Sequence, residues 1–234
     1  MKFRHEMKYL INYRDYALIK LRLKTLMRTD VNAADSDGAY FVRSLYFDDY
    51  YNHAYNDKFA GVQNRSKYRI RIYNCSDKVI RLEKKVKANL YNHKLSASLT
   101  RNQYYDILQG NYEFLLKSSD NLLNVFYHEC VSNFMRPRVI VDYDREPFTL
   151  AAGDVRITFD RNIRAGLMGF DIFDTRLPTV ETLDPGLLIF EVKFTEFLPS
   201  VIRRILPSGA ADYLALSKYI LCCDKVLHKQ ITNI

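Results

Sequence analysis

From Arg81 to Lys87 the chain reads Arg-Leu-Glu-Lys-Lys-Val-Lys, and that alternation narrows what the segment can be. Successive side chains of a strand point to opposite faces. Arg81, Glu83, Lys85 and Lys87 therefore share one face, while Ile80, Leu82 and Val86 share the other. The pattern returns in Glu191-Val-Lys193, set among Phe190, Val192 and Phe194, and in Glu6-Met-Lys8 near the start. In Lys67-Tyr-Arg-Ile-Arg-Ile72, Lys67, Arg69 and Arg71 align opposite Tyr68, Ile70 and Ile72. Several strands thus carry an acid-and-base face backed by an apolar one. Convergence of the charged faces would make a cationic cavity holding a few carboxylates, suited to a polyanion and a divalent metal.

Composition narrows the partners. The chain has 234 residues, a length that suits a single domain over 1–234, and 48% hydrophobic residues, which excludes whole-chain disorder. Its net charge of +8 favours anionic partners. The cysteines, Cys75, Cys130, Cys222 and Cys223, form no C-x-x-C pair, so buried reduced thiols are expected in place of a zinc site. The N-terminus has charges where a signal peptide needs an apolar run. No stretch approaches the roughly 20 apolar residues of a membrane span, so a cytoplasmic, soluble protein with no span of its own is expected.

Along the chain, 3–10 reads as a strand, followed by a helix over Tyr13–Met27 with Asn12 as N-cap. Ala39–Asp48 is a strand pattern, and Asp49–Gly61 a polar, aromatic connection. Strands near 66–74 and 79–88 are joined by Asn74–Lys78 as a hairpin. A short strand over 93–98 precedes a helix from Thr100 to about Gly110 and a more apolar one around 119–133. Strands resume at 138–148, 154–160 and Leu187–Phe194, and Pro199 and Ser208 open two C-terminal helices, the second through Tyr213, Leu216, Tyr219 and Ile220. About eight strands, mostly hairpin neighbours, imply an α+β fold with an antiparallel sheet.

An open sheet with its charges in water would also alternate. Three features argue for charges turned inward. The polar faces are almost wholly Arg, Lys and Glu; three strands each place a Glu two residues before a Lys; and faces such as Leu188-Phe190-Val192-Phe194 need a coat. A closed antiparallel barrel of about eight strands with helices packed outside meets all three and removes sheet edges. Confined cations are costly unless a dense anion offsets their repulsion.

These residues resemble the triphosphate tunnel metalloenzyme (CYTH-like) superfamily, and within it the polyphosphate polymerase domain of the vacuolar transporter chaperone (VTC) complex and its bacterial relatives. The landmarks run in order: His5-Glu-Met-Lys-Tyr9, Ser44-Leu-Tyr-Phe-Asp48, Tyr68-Arg-Ile-Arg71, Leu82-Glu-Lys-Lys85, Tyr143-Asp-Arg-Glu-Pro-Phe148, Val155-Arg-Ile-Thr-Phe-Asp160, Phe190-Glu-Val-Lys193 and Leu216-Ser-Lys-Tyr219. The resemblance implies tunnel bases at Lys8, Arg69, Arg71, Lys85, Arg145, Arg156 and Lys193, with Lys94 and Lys218 reaching in from neighbouring elements. It implies Glu191 as main metal ligand, with Glu6 and Glu83 in support. Two departures stand out: Arg4 fills a position where the wider superfamily often has Glu, and the basic cluster after the third strand thins to Lys94-Leu-Ser96.

The implied activity is metal-dependent transfer of the γ-phosphate of ATP to a growing polyphosphate chain, with Mn²⁺ or Mg²⁺ as cofactor. Such chemistry asks a protein for positioning and charge neutralisation, which forked arginines and point-charge lysines supply. A triphosphatase would use the same tunnel with water as acceptor, and a polyphosphate-binding module would lack the metal carboxylates. Coupling to a membrane would need a partner protein. A nucleic-acid binder would show outward basic patches interleaved with aromatics; none is read here, so nucleic acid is not an expected partner.

Overall fold

A computed structural model of the chain describes residues 5–30, 33, 38–88, 91–207 and 216–232. The strands are β1 (His5–Asn12), β2 (Arg28–Thr29), β3 (Tyr40–Asp48), β4 (Arg65–Tyr73), β5 (Ser76–Ala88), β6 (Tyr91–Ser98), β7 (Arg136–Leu150), β8 (Val155–Gly166), β9 (Thr179–Glu181) and β10 (Leu187–Phe194). The helices are α1 (Tyr13–Leu26), α2 (His53–Phe59), α3 (Arg101–Gln109), α4 (Glu113–Leu116), α5 (Asn121–Ser132), α6 (Ser200–Arg203) and α7 (Lys218–Thr232). Residues 3 and 4 of the expected first strand, Arg4 included, lie outside the described residues. So does 208–215, where a helix from Ser208 through Tyr213 is expected.

Local chemistry sets the boundaries. The Asn12 side chain accepts from the Asp15 amide at 2.9 Å and opens α1. Thr100 and Gln103 form a reciprocal capping box on α3, and Gly110 ends it at φ +85°. The β4–β5 hairpin is tighter than the sequence suggests: Tyr73 pairs with Ser76, and Asn74 and Cys75 both have positive φ, as a type I′ turn requires. Within the expected loop after β3, α2 forms because the Asp48 carboxylate accepts from the Ala54 and Tyr55 amides. That cap comes from a strand residue, not from the position next to the helix.

The sheet runs β1-β10-β8-β7-β3-β4-β5-β6, with β2 added to β7 and β9 to β8. Every pairing is antiparallel. The expected closed barrel is not borne out: among the described residues β1 and β6 are not joined by hydrogen bonds, so hydrogen bonding does not close the sheet. It is strongly curled all the same. Glu6 on β1 meets Lys85 on β5 at 3.0 Å, although these strands stand at the first and seventh places in the sheet order. A side-chain ion pair bridges the gap that backbone pairing leaves.

Two apolar layers coat the convex side. Tyr68, Ile70, Ile72, Ile80 and Leu82 pack under Tyr104, Ile107, Leu115, Leu122, Leu123 and Phe126 of α3, α4 and α5. Ile157, Phe159, Leu188, Phe190 and Val192 pack under Tyr16, Ile19 and Leu23 of α1 and Ile202 of α6. Each such side chain, fully buried, contributes about 1.5–3 kcal/mol.

The expectation that all helices lie outside is corrected by α7. Its Tyr219, Ile220, Cys222 and Cys223 pack on Val42, Val139, Val141, Ile163, Ala165 and Ile189. Those residues share the concave face with Ser44 and Tyr143, both hydrogen-bonded to Arg71. A bulge extends this apolar patch onto β8. The β7–β8 register shifts between Asp142 and Asp144, where Asn162 on β8 has φ +52°. Arg156, Thr158 and Asp160 face inward before it, Ile163 and Ala165 after it. Half of the concave face is thus apolar, and α7 is its cover. None of the described helices is long and apolar enough to cross a membrane.

One backbone position is sensitive. Gly153 ends the β7–β8 turn at φ +74°, and a Cβ there would overlap the Phe197 carbonyl oxygen. Gly153→Ala is expected to cost about 1–3 kcal/mol from the strained φ, with the overlap in addition. A thermal melt at fixed pH measures it, and an unshifted midpoint would show that the loop carrying Phe197 moves freely.

Candidate functional site

The charged half of the concave face is built by register. Glu6 pairs with Lys193 and Lys8 with Glu191 across β1 and β10, Lys193 with Arg156 across β10 and β8, and Arg145 with Asp160 across β7 and β8. On the far arm Arg69 pairs with Glu83 and Lys67 with Lys85 across β4 and β5, and Lys85 with Lys94 across β5 and β6. All twelve site residues named from the sequence are on this face or at its edge, and most meet one another directly.

Four carboxylate clusters organise the bases. Glu83, 3% exposed, receives Arg69 Nη2 at 2.6 Å and Lys94 Nζ at 2.7 Å, with Arg71 Nη1 at 4.0 Å. Burial pushes the Glu83 carboxyl up, but Arg69 and Arg71 outweigh it and hold it at about 2. Asp160, fully buried, accepts a two-pronged contact from Arg145 at 2.7 and 2.8 Å and Lys218 Nζ at 2.6 Å. Burial again raises it, and Arg145 with Lys218 bring it down to about 2. Asp30 holds Arg156 at 3.0 Å, with Tyr40 Oη 3.2 Å from the same nitrogen.

Glu191 and Glu6 form the fourth cluster, their carboxyl groups within hydrogen-bonding reach of each other. Lys193 lies 2.9 Å from Glu191 Oε1, Lys8 2.8 Å from Glu6 and 4.0 Å from Glu191, and Arg145 3.7 Å from Glu191 Oε2. Burial raises Glu191, yet Lys193 and Lys8 hold it well below the carboxylate range. Burial lowers Lys193 to about 8 in spite of its carboxylate partner.

The field is positive overall. Nine bases (Lys8, Arg69, Arg71, Lys85, Lys94, Arg145, Arg156, Lys193, Lys218) share the five carboxylates Glu6, Asp30, Glu83, Asp160 and Glu191, and Lys67 is a tenth base on the same face. The Tyr46 phenol reports that excess. Burial would raise it, but Arg69 and Arg71 bring it below its ordinary value. Arg69 donates to Tyr46 at 2.9 Å, and Arg71 to Ser44 and Tyr143 at 3.0 Å, so both forks are fixed before any ligand arrives. The Nε atom of Arg156 is buried with no hydrogen-bond partner among the described residues.

Divalent metals of the Mg²⁺ type take hard oxygens, usually one or two carboxylates plus substrate phosphates. Glu191 with Glu6 fits that donor set. Glu83 is not brought to them, and no group of three or more His, Cys, Asp or Glu stands close enough to hold a metal among the described residues. Sequence reasoning named every cation of these clusters, and placed Lys67 on the same face without a role. It missed Asp160, Asp30 and Tyr46 as the groups that aim them. The signal for Asp160 was its place at the end of Val155–Asp160, one bulge before the parity inverts.

The Asp160 and Glu83 values set an acid limit. A carboxyl depressed on folding stabilises the fold above its ordinary value, near 4, and loses that contribution as pH falls through its folded value. The melting temperature is expected to hold from pH 7 to 5 and fall between about pH 4 and 2, where these two carboxyls protonate at about 2. A melt insensitive to pH across that window would mean their ion pairs do not support the fold.

Three solved structures align with the chain at low identity. A protein of Bacillus halodurans provisionally assigned as an adenylate cyclase aligns over 99% of this chain and 89% of its own, at 10% identity and a TM-score of 0.49. A protein of Pyrococcus horikoshii aligns over 88% and 85%, at 12% identity and 0.40. A conserved hypothetical protein of Pyrococcus furiosus aligns over 86% and 85%, at 12% and 0.41. No curated protein matches the sequence. The family model of the VTC domain matches residues 3–227, which is nearly the whole chain, and the protein belongs to the VTC domain family.

Proposed function

We propose that this protein transfers the γ-phosphate of ATP to a growing polyphosphate chain inside the curled sheet, with Mn²⁺ or Mg²⁺. The observation that supports it is the excess of ten fixed bases over five carboxylates on the concave face of a VTC-family chain. Phosphoryl transfer gives a protein little covalent work. It needs the phosphates held in line and their charge met by donors that need no reorganisation.

Arg69 and Arg71 present forks held by Tyr46, Ser44, Tyr143 and Glu83, and so bind phosphate oxygens two at a time. Arg145, aimed by Asp160, and Lys8, Lys193 and Lys218 face them across the lumen as further charge. Glu191, with Glu6, would hold the metal, which when bound supplies Lewis-acid polarisation of a phosphate oxygen. The terminal oxygen of the acceptor chain attacks the γ-phosphorus, a new P–O–P bond forms, and the β–γ bond breaks to release ADP. No side-chain nucleophile takes part. The soluble, cytoplasmic location read from the sequence belongs to this proposal.

Purified protein incubated with ATP and Mn²⁺, with products resolved on a gel and by orthophosphate assay, tests the reading. Polymer longer than three phosphates together with ADP is the expected result. Orthophosphate and ADP alone would make the protein a triphosphatase, and no turnover with intact binding would make it a polyphosphate-binding module.

A further inference from the structure

Lys67 is the exception among the lumen bases. It lies on β4 on the face of Arg69 and Arg71, half-buried, and no carboxylate among the described residues pairs with it. Among the described residues its Nζ atom meets Ser217 Oγ at 3.4 Å and the Tyr219 ring, 4.6 Å to the centroid. The other groups around it do not neutralise it. On its own strand stand Arg65 and Arg69, its register partner on β5 is Lys85, and Lys58 approaches from α2. Cys223 of α7 is buried and its thiol is pushed up to about 12, so it carries no charge at neutral pH. Asp48 of β3, which accepts from the Tyr219 hydroxyl and the Ala54 and Tyr55 amides, is the nearby acid; it raises the Lys67 amine, but less than burial, Arg65 and Lys58 lower it.

Resting on the tunnel reading above, we propose that Lys67 is a further polyanion-binding residue, which takes up a proton from solvent as a phosphate chain arrives. Where it sits supports this. Lys8 donates to the Leu216 carbonyl at 3.3 Å and Lys67 to Ser217, so these two bases flank the segment that enters α7. A phosphate passing Arg69 toward α7 meets Lys67 next. Burial first, then Arg65 and Lys58, lower its amine to about 7, so with no anion present it is charged in only part of the population near neutral pH. A bound phosphate removes that repulsion and raises the amine.

The sign follows from linkage. With the free value near 7 and the bound value higher, the affinity gained from Lys67 is complete at acid pH and fades as pH rises past 7. The test is calorimetric titration of metal-free protein with tripolyphosphate at pH 6.5 and pH 8.0, on wild type, Lys67→Arg and Lys67→Met. Between those two pH values wild type is expected to lose roughly eightfold more affinity than Lys67→Arg, whose charge is permanent. At pH 8.0 Lys67→Arg should bind more tightly than wild type, and Lys67→Met more weakly than wild type at pH 6.5. Titration of the ligand and of Lys193 is common to all three and drops out of the comparison. Should Lys67→Met misfold, the Arg variant still decides the matter. Equal pH dependence in wild type and Lys67→Arg, with binding intact, would overturn this inference and leave the tunnel reading standing. Absence of tripolyphosphate binding to wild type would overturn both.

Discussion

Glu191→Gln is expected to lower metal-dependent turnover by about two to three orders of magnitude, the scale on which one preorganised electrostatic contact to a reacting group is lost. Glu191 is 4% exposed and stands between Lys193, Lys8 and Arg145 with Glu6 beside it, so its carboxylate is an enclosed hard-oxygen donor with a second carboxylate at hand. The substitution removes a hard oxygen ligand and also one negative charge from a positive cavity. Tripolyphosphate affinity without metal should therefore stay the same or rise while turnover collapses. Initial rates with Mn²⁺ beside metal-free calorimetry separate the two effects. A wild-type rate in the variant would remove Glu191 from any metal role.

Arg69→Ala combined with Arg71→Ala is expected to lower tripolyphosphate affinity by at least a hundredfold. Each lost charge-assisted contact is worth about 1.5–3 kcal/mol, and two together exceed the 1.4 kcal/mol of one decade in affinity at least twice over. The structure adds a second cost. Glu83 would keep Lys94 alone, so an acid now held at about 2 would lose the cations that hold it there and oppose the incoming anion. Unchanged affinity in the double variant would mean that phosphate passes the other arm of the sheet, by Arg145 and Lys193.

How much of this was legible in the sequence depended on whether the cause was local. The period-two alternation of Arg81–Lys87 and Lys67–Ile72 placed the right side chains on one face, and Leu187–Phe194 was bounded correctly. Asn12 and the Thr100–Gln103 box are caps that act within four residues, and both were readable. Non-local causes were not. The cap of α2 is Asp48, six and seven residues away from the amides that it holds. The bulge at Asn162 inverts the parity of β8, so Asp160 and Ile163 share a face that simple alternation would deny them. Periodicity showed that α7 has an apolar side, but not on which side of the sheet it lies; only the apolar inner patch of Val139, Val141, Ile163 and Ala165 decides that. The open edge of the sheet is of the same kind, since Glu6–Lys85 joins residues 79 positions apart.

The central claim is that the concave face stores repulsion which a narrow, dense anion relieves, and thermal melting with tripolyphosphate tests it most directly. At about 100 times its dissociation constant the ligand should add roughly 2.7 kcal/mol of stability. The comparison arms are sodium chloride at equal ionic strength and short duplex DNA at equal phosphate charge, each across a salt series. Tripolyphosphate is expected to raise the melting temperature well above both, because the bases lie inside the curl of the sheet, where the Glu6–Lys85 ion pair spans the open edge and a narrow anion enters more readily than a duplex. A shift with DNA equal to or greater than that with tripolyphosphate would put the working basic surface outside the curled sheet and contradict the account.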